Sequence, residues 1–398
     1  MIPILHLSAL HGGHDSRVVY REGFSLATRY RLTMALTHPD VSVHPGIRFV
    51  GVPHFPQLWK RLLLVHPRLF FLALGHPARL VHLHDPELIP LGLLLRLLGR
   101  TVILDVHENL HRQLSAKKLN ASALYWRFFR VFDRLARRQF HFIFAETAYP
   151  VSYPSLRYPS AAVLNYAPLP LLEPFRRQPG QIHDPAQPEF FYIGQLSFAR
   201  CLDVLIQALA RLSANYPTLR VHLFGAPGFD LFDLGELNQI AGYETARNHL
   251  IFHGYTDAHR AFPFAARCVA GLALLKPVGD FPDSYPTKLF EYLALGLPVV
   301  TSDFSLYRAV VEPDTCGICV DAASPEAVAQ ALRTLLENPS LAGKLGENGR
   351  RAAEKYYAWA SQEAILFQFY ERLHSRVRRS PELQIQADRV AIGSPLRL

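Results

Sequence analysis

Apolar positions in this chain fall into short continuous runs that alternate with longer amphipathic ones. Residues 2–7, IPILHL, form the first run. After His11-Gly12-Gly13-His14, apolar residues recur at Val18, Val19, Phe24, Leu26 and Ala27 with helical spacing. The pattern predicts strand, glycine loop and helix, the opening of a Rossmann-like unit whose loop backbone can approach a ligand closely. Residues 58–74 and 88–98 are leucine-rich and helical in spacing, and extended runs stand at 80–83, 102–105 and 141–145. Strand and helix alternating in this way predict a parallel sheet with helices on both faces.

A second series follows. Residues 161–164 lead to Asn165-Tyr166-Ala167-Pro168, and Pro170, Pro174, Pro179, Pro185 and Pro188 then mark an exposed linker. Strands are predicted at 190–193, 219–224, 250–252 and 269–275, with an amphipathic helix over 201–212. Residues 283–303, DSYPTKLFEYLALGLPVVTSD, read as loop, helix, turn and buried strand. Residues 315–320 lead to Ser324-Pro325-Glu326, an N-cap with proline at the first helical position, and helical spacing continues from 338 to 373. The expected organisation is a first domain over 1–168, a linker over 169–188 and a second domain over 189–355. Helices over 356–379 are expected to pack back on the first domain, and 380–398 is a polar tail with the composition of a disordered segment.

Composition narrows the partners. The chain has 398 residues, 49% hydrophobic and 19% charged, which is a globular balance with core enough for two domains. Met1 to Ser8 lacks a basic n-region and a cleavage site, and the most apolar run, 88–98, is too short to span a bilayer. A cytoplasmic protein is expected. Cys201, Cys268, Cys316 and Cys319 are too few for a disulfide framework, and Cys316-Gly-Ile-Cys319, with no second pair, reads as two small residues flanking a turn. The formal charge of +9 is concentrated between Lys60 and Arg138, a region suited to an anionic partner. Within it, residues 121–144 interleave Tyr125, Trp126, Phe128, Phe129, Phe132 and Phe140 with arginines. Two readings stay open: peripheral docking on an anionic membrane, or a helix with aromatics packed inward and arginines solvated. No nucleic-acid reader motif is present.

The candidate chemistry sits at strand ends and at one helix start. A helix beginning near Thr287 brings its backbone amides and dipole to Lys288, a combination suited to phosphate. Glu291, one turn on, can accept from a ribose diol, and Asp283 can do the same for a sugar ring. A surface ion pair is the plainer alternative for Lys288 and Glu291. In the first domain, His82-Leu-His84-Asp85 and Asp105-Val-His107-Glu108 end two predicted strands. Three readings apply there: a metal site on His82, His84, Asp105 and His107, hydrogen-bonding groups for a polar substrate, or caps for the following helices, as Asp85 before Pro86 suggests.

Taken together, these stretches resemble retaining glycosyltransferases of the family 4 type with the GT-B fold. HGGHDSRVVYREGFSLA is similar to the first loop and helix of a family subgroup, including Gly12, Gly13, Asp15 and Arg17. HLHDPELIPLGLLLRLLGRTVILDVHEN is similar to its second landmark, with His84, Asp85, Asp105 and Glu108 on the acceptor side or in the cleft. YIGQLSFARCLDVLIQAL resembles its donor-phosphate loop, YPTKLFEYLALGLPVV its signature, and ENGRRAAEKYYAWASQEAILFQFYERL its closing helices.

The resemblance implies two Rossmann-like α/β domains with parallel sheets facing across a cleft. By it, Asp283 contacts the donor sugar, Glu291 the ribose, and Arg200 with Lys288 the diphosphate; Gly194, Gln195, His253, Gly254 and Leu289 join the donor site. His107 matches the active-site histidine that orients the sugar, so that His107, Asp283, Lys288 and Arg200 form the catalytic set. Gln195 stands where many members carry arginine, and Cys201 where glycine is usual. No metal is expected, the nucleotide-diphosphate sugar being a co-substrate. The expected activity is transfer of a hexose-type sugar, with retention, to a lipid-linked or polysaccharide acceptor. A nucleotide-sugar epimerase or hydrolase on the same fold, or a metal-dependent hydrolase built on the histidine cluster, are the alternatives.

Overall fold

The computed structural model describes residues 1–107, 123–178, 180–181, 184–228, 230–231 and 233–391, with side chains left out of the description over 123–128 and 376–391. Glu108 lies outside the described residues, as do the side chains of Tyr125, Trp126 and Phe128. The described parts of Met1–Asn109, Leu119–Leu164 and Ala360–Leu398 form one compact unit, and those of Asn165–Trp359 form a second.

The first unit holds seven strands: β1 (Ile2–Gly12), β2 (Tyr30–Thr37), β3 (Ile47–Val52), β4 (Leu80–Leu83), β5 (Thr101–Val106), β6 (His141–Phe144) and β7 (Ser160–Ala162). They run parallel in the order β3-β2-β1-β4-β5-β6-β7. The strand order reverses between β1 and β4, and ligands of open parallel sheets bind beyond the carboxyl ends at such a point. Those ends carry His11 to Asp15, His84-Asp85 and Asp105 to His107. The register sets His6 beside His82, so the histidines of β1 and β4 are neighbours by construction.

The pattern of apolar runs misses β2 and β3. β2 alternates Tyr30-Arg31-Leu32-Thr33, yet Thr33 and Thr37 are buried beside the apolar residues, so polarity there does not report exposure. Residues 169–175, read as linker, fold into the helix Leu169–Leu172 and the turn Glu173–Phe175, with Leu172 in the core. The helix Trp359–Ala391 continues through 380–391.

The second unit has β8 (Glu189–Ile193), β9 (Arg220–Phe224), β10 (Leu250–Gly254), β11 (Ala270–Ala273), β12 (Val299–Ser302) and β13 (Gly317–Val320), all parallel in the order β10-β9-β8-β11-β12-β13. Its reversal falls between β8 and β11. On one face the helix Leu202–Leu212 buries Leu205, Ile206, Leu209 and Leu212 against the sheet; each such side chain contributes on the order of 2 kcal/mol by leaving water. On the other, the helix Thr287–Ala294 buries Leu289, Phe290, Tyr292 and Leu293. Tyr292 seats that helix: its hydroxyl accepts from Ile193 N at 3.1 Å, and its ring lies where a Cβ on Gly271 would approach to 2.4 Å. Cys316 precedes β13 and Cys319 lies within it, so the pair sits on a strand and not around a turn. Burial pushes their thiols up, to about 12 and about 11.

Candidate functional site

In the second unit the site is built at the carboxyl end of β8. Gly194 has φ 136°, a conformation open to glycine, and its amide donates to Phe224 O at 2.9 Å. A Cβ there would stand 3.3 Å from Arg200 Nη1 and 3.6 Å from Lys288 Nζ. Two cationic side chains therefore converge over a bare stretch of backbone.

The loop from Gly194 to Arg200 is held from outside. Asp230 accepts from Phe198 N at 2.9 Å and Ala199 N at 2.7 Å, and Ser197 Oγ accepts from Arg200 N at 3.2 Å. Cys201, at the position where glycine is usual, adopts the left-handed conformation with φ 60°. The loop shape is thus kept at the cost of a strained non-glycine residue. The Gln195 side chain turns to Gly228, where a Cβ would meet its Cγ at 2.7 Å.

Lys288 enters from the first turn of the helix Thr287–Ala294, which no side chain caps. It is 5% exposed, its Nζ has no hydrogen-bond partner among the described residues, and it lies 3.7 Å from the centroid of the Tyr192 ring. Burial, and then the neighbouring Arg200 charge, lower its pKa well below the usual lysine value. A buried amine beside a guanidinium with no anion to pair is an arrangement that an anion stabilises.

Glu291, one turn on, is also buried, and Asp283 ends the turn Phe281–Asp283, whose Phe281 ring lies 5.9 Å from the Arg200 Cζ. Leu289 is fully buried in the core, and its amide donates to Pro286 O. His253 stacks on Phe224 at 4.0 Å between centroids and hydrogen-bonds His222 at 2.9 Å. Gly254 O accepts from Gly225 N.

In the first unit, Arg17 binds Asp105 bidentately through Nε at 2.9 Å and Nη2 at 2.8 Å, and donates to Val163 O at 2.7 Å. Although burial opposes it, the Arg17 charge and the hydrogen bonds from His107 and His84 hold the Asp105 carboxyl well below the usual range. His107 Nε2 lies 2.5 Å and His84 Nδ1 3.5 Å from Asp105 Oδ2. Asp15 Oδ1 accepts from Arg17 N and Val18 N, starting a π-type turn over Val18–Gly23, while its Oδ2 holds His11 Nδ1 at 2.8 Å. Gly13 serves the backbone: a Cβ there would stand 2.6 Å from Asp40 N, and its amide donates to His38 O.

Asp85 is not the helix cap that its place before Pro86 suggests. Its side chain makes no cap hydrogen bond; Oδ2 instead accepts from Ser8 Oγ at 2.8 Å and Ala9 N at 2.6 Å on β1. His82, His84, Asp105 and His107 do not converge as one set. Their ligand-capable atoms divide into His6, Glu22, His82 and His84 on one side and His84, Asp105 and His107 on the other, each group within 4.8 Å. Glu22 is buried with its Oε1 3.1 Å from Arg17 Nη2, and burial, with Asp105 nearby, raises its pKa well above the usual value although the Arg17 charge opposes the shift. Sequence reading did not find His6, Glu22 or Tyr370. The alternation that places His6 beside His82 is visible only once the strands are paired.

Residues 176–352 match the model of glycosyl transferases group 1, which spans the helix start, the glycine loop and the cation pair of the second unit. A D-inositol 3-phosphate glycosyltransferase of Xylanimonas cellulosilytica is 27% identical over 191 residues, 48% of this chain and 43% of that protein. The chain thus spans less than half the length of that curated relative. Sucrose-phosphate synthase from Thermosynechococcus elongatus has a similar structure, with TM-score 0.73, 16% identity and coverage of 94% of this chain and 100% of the other. Anabaena HepE in complex with UDP-glucose gives TM-score 0.68, 17% identity and coverage of 94% and 100%. The fold is that of GT-B chains, and it is residues 176–352 that carry the group 1, family 4-like glycosyltransferase match. The likeness read from the sequence is borne out for family and fold.

Proposed function

We propose that this protein transfers a sugar from a nucleoside diphosphate sugar to a lipid-linked or polysaccharide acceptor with retention of anomeric configuration. The observation that carries the reading is the convergence of Arg200 and the unpartnered Lys288 Nζ over Gly194. Two positive charges and an uncapped helix start match a diphosphate, and they match it best as it departs with its negative charge developed. Glu291 and Asp283 supply acceptors for ribose and sugar hydroxyls. His107 is the group that resemblance assigns to the reacting end of the donor. The charge for the leaving group comes in this reading from Arg200 and Lys288, with no metal needed.

The test is a thermal-shift screen against UDP-, GDP-, dTDP- and ADP-sugars. A matched donor at about 100 times its dissociation constant stabilises the fold by about 2.7 kcal/mol. Lys288→Ala and Arg200→Ala are expected to abolish that shift and turnover; full turnover by either variant contradicts the reading. Product mass with and without candidate acceptors separates transfer from hydrolysis or epimerisation.

The acceptor side is read from the surface of the first unit. On the helix Ala123–Gln139 Phe129 is buried and Phe132 half-buried, and Phe140 just after it is buried, while Arg130, Arg134 and Arg138 are exposed. That helix exposes Val131 and Leu135, and four more strongly exposed apolar residues, Trp59, Leu63, Phe71 and Leu97, each more than half exposed, lie in the segments 58–75 and 89–97. Lys60 and Arg68 stand among them. No helix among the described residues is long and apolar enough to cross a membrane. This face suits peripheral contact with an anionic lipid surface. Binding to anionic liposomes at low salt, lost in Trp59→Ser with Phe71→Ser, supports it; equal binding to neutral liposomes counts against it.

A further inference from the structure

Tyr370, on the helix Trp359–Ala391, reaches back to the first unit's sheet. Its hydroxyl lies 2.7 Å from His82 Nδ1 and 3.0 Å from His6 Nε2. His6 Nδ1 in turn lies 2.9 Å from His84 Nε2, and His84 Nδ1 faces Asp105 Oδ2 at 3.5 Å. His6, His82, His84, Asp105 and Tyr370 are all buried. The series is a continuous chain of polar contacts that ends at His84 Nδ1, which lies 3.4 Å from His107 Nε2 and 3.5 Å from the Asp105 carboxylate.

The hydrogens of that chain can be placed one by one. Asp105, paired with Arg17, is ionised and only accepts. His84 Nδ1 therefore carries its hydrogen toward Asp105. Burial lowers the pKa of His84 to about 4 and those of His6 and His82 well below the usual value, so each imidazole is neutral and has one hydrogen. His84 Nε2 is then a lone pair, and His6 Nδ1 must donate to it. His6 Nε2 is left as an acceptor, which only the Tyr370 hydroxyl can serve. The Tyr370 oxygen finally accepts from His82 Nδ1–H. From that start every link pairs one donor with one acceptor, running from His82 to Asp105; the opposite polarity, in which His84 Nδ1 accepts from His107 Nε2 at 3.4 Å, pairs them as well, and the histidine tautomers decide between the two. His107 donates from Nε2 to the same Asp105 oxygen, which leaves Nδ1 as its remaining nitrogen.

We propose that Tyr370 is a positioning residue for His107: its hydroxyl completes a one-directional chain through His6 and His84 that fixes Asp105, and thereby the tautomer and orientation of the His107 ring. The kinetic part rests on the glycosyl-transfer reading above, and the tautomer part does not. Tyr370 touches neither His107 nor Asp105 directly. Its effect passes through two imidazoles whose rotation it prevents.

The test is nitrogen–proton correlation NMR of the full chain with 15N-labelled histidine, together with kinetics of Tyr370→Phe. In the wild-type protein His6, His82 and His84 are expected as Nδ1–H tautomers and His107 with a hydrogen on Nε2. In Tyr370→Phe the His6 and His82 signals leave that pattern, and kcat falls about tenfold, the factor associated with one buried hydrogen bond, while the donor KM stays constant. Nε2–H or doubly protonated His6 and His84 in the wild type overturn the proposal, as does stoichiometric zinc in the purified protein, since a metal would occupy the same lone pairs. Wild-type turnover in Tyr370→Phe overturns it too. If that variant does not fold, His6→Gln interrupts the same chain one link nearer Asp105, and the wild-type tautomers are decisive alone. A protein with the expected tautomers that turns over no nucleotide sugar overturns the functional reading and supports the chain.

Discussion

Arg17 and Asp105, 88 positions apart in the chain, form a bidentate ion pair buried in the first unit, with N–O distances of 2.9 and 2.8 Å. A pair this buried is worth little relative to apolar packing, but removing one partner strands the other charge. Asp105→Asn is therefore expected to destabilise the fold by about 3–5 kcal/mol, read as a lower urea midpoint. Glu22 offers a contrast. Its carboxyl, 3.1 Å from Arg17 Nη2, is raised well above the usual range by burial and the nearby Asp105, so Glu22→Gln should lower the urea midpoint less than Asp105→Asn does.

On the proposed reading, donor binding at Lys288 is expected to take up a proton. Burial and Arg200 lower its folded pKa below the ordinary 10.5, whereas a bound diphosphate favours the charged amine and raises it. Affinity for the donor should thus rise as pH falls through the range below 10.5. Calorimetry in buffers of different ionisation enthalpy reads the uptake directly, and Lys288→Met should remove it.

Stability in the first unit should fall on the alkaline side through His11. Burial disfavours its charge, but the Asp15 charge and hydrogen bond, with Asp85 and Asp105, raise its pKa from 6.5 to about 9. A folded pKa above the unfolded one contributes stability that is fully present below pH 6.5 and is lost as pH rises through about 9. Thermal midpoints from pH 6 to 9.5 should decline, with a shallower slope in His11→Gln.

Gly194 tests the cation pair without removing either charge. An alanine there meets Arg200 Nη1 at 3.3 Å in a backbone conformation with φ 136°, which L-residues rarely adopt. Gly194→Ala should lose the donor-induced thermal shift while Arg200 and Lys288 remain in place.

The sequence by itself determined the two parallel-sheet units. Continuous apolar runs and amphipathic helices at regular spacing are local properties, and they survive in any tertiary context. It also singled out Lys288 and His107, because a helix start and a strand end are recognisable from adjacent residues, while Arg200 came from the family resemblance of its loop. It missed β2 and β3, where buried threonines break the apolar pattern, and it read 169–175 as linker because prolines also occur at the first turn of helices.

What only the tertiary structure decided is pairing across long separations. Strand register set His6 beside His82, and the closing helix brought Tyr370 to both. Asp85 turned from the helix it precedes to the amide of Ala9, a choice that depends on β1 lying next to β4. Such contacts are fixed by where strands dock, and a polar residue's partner cannot be read until its neighbours in space are known.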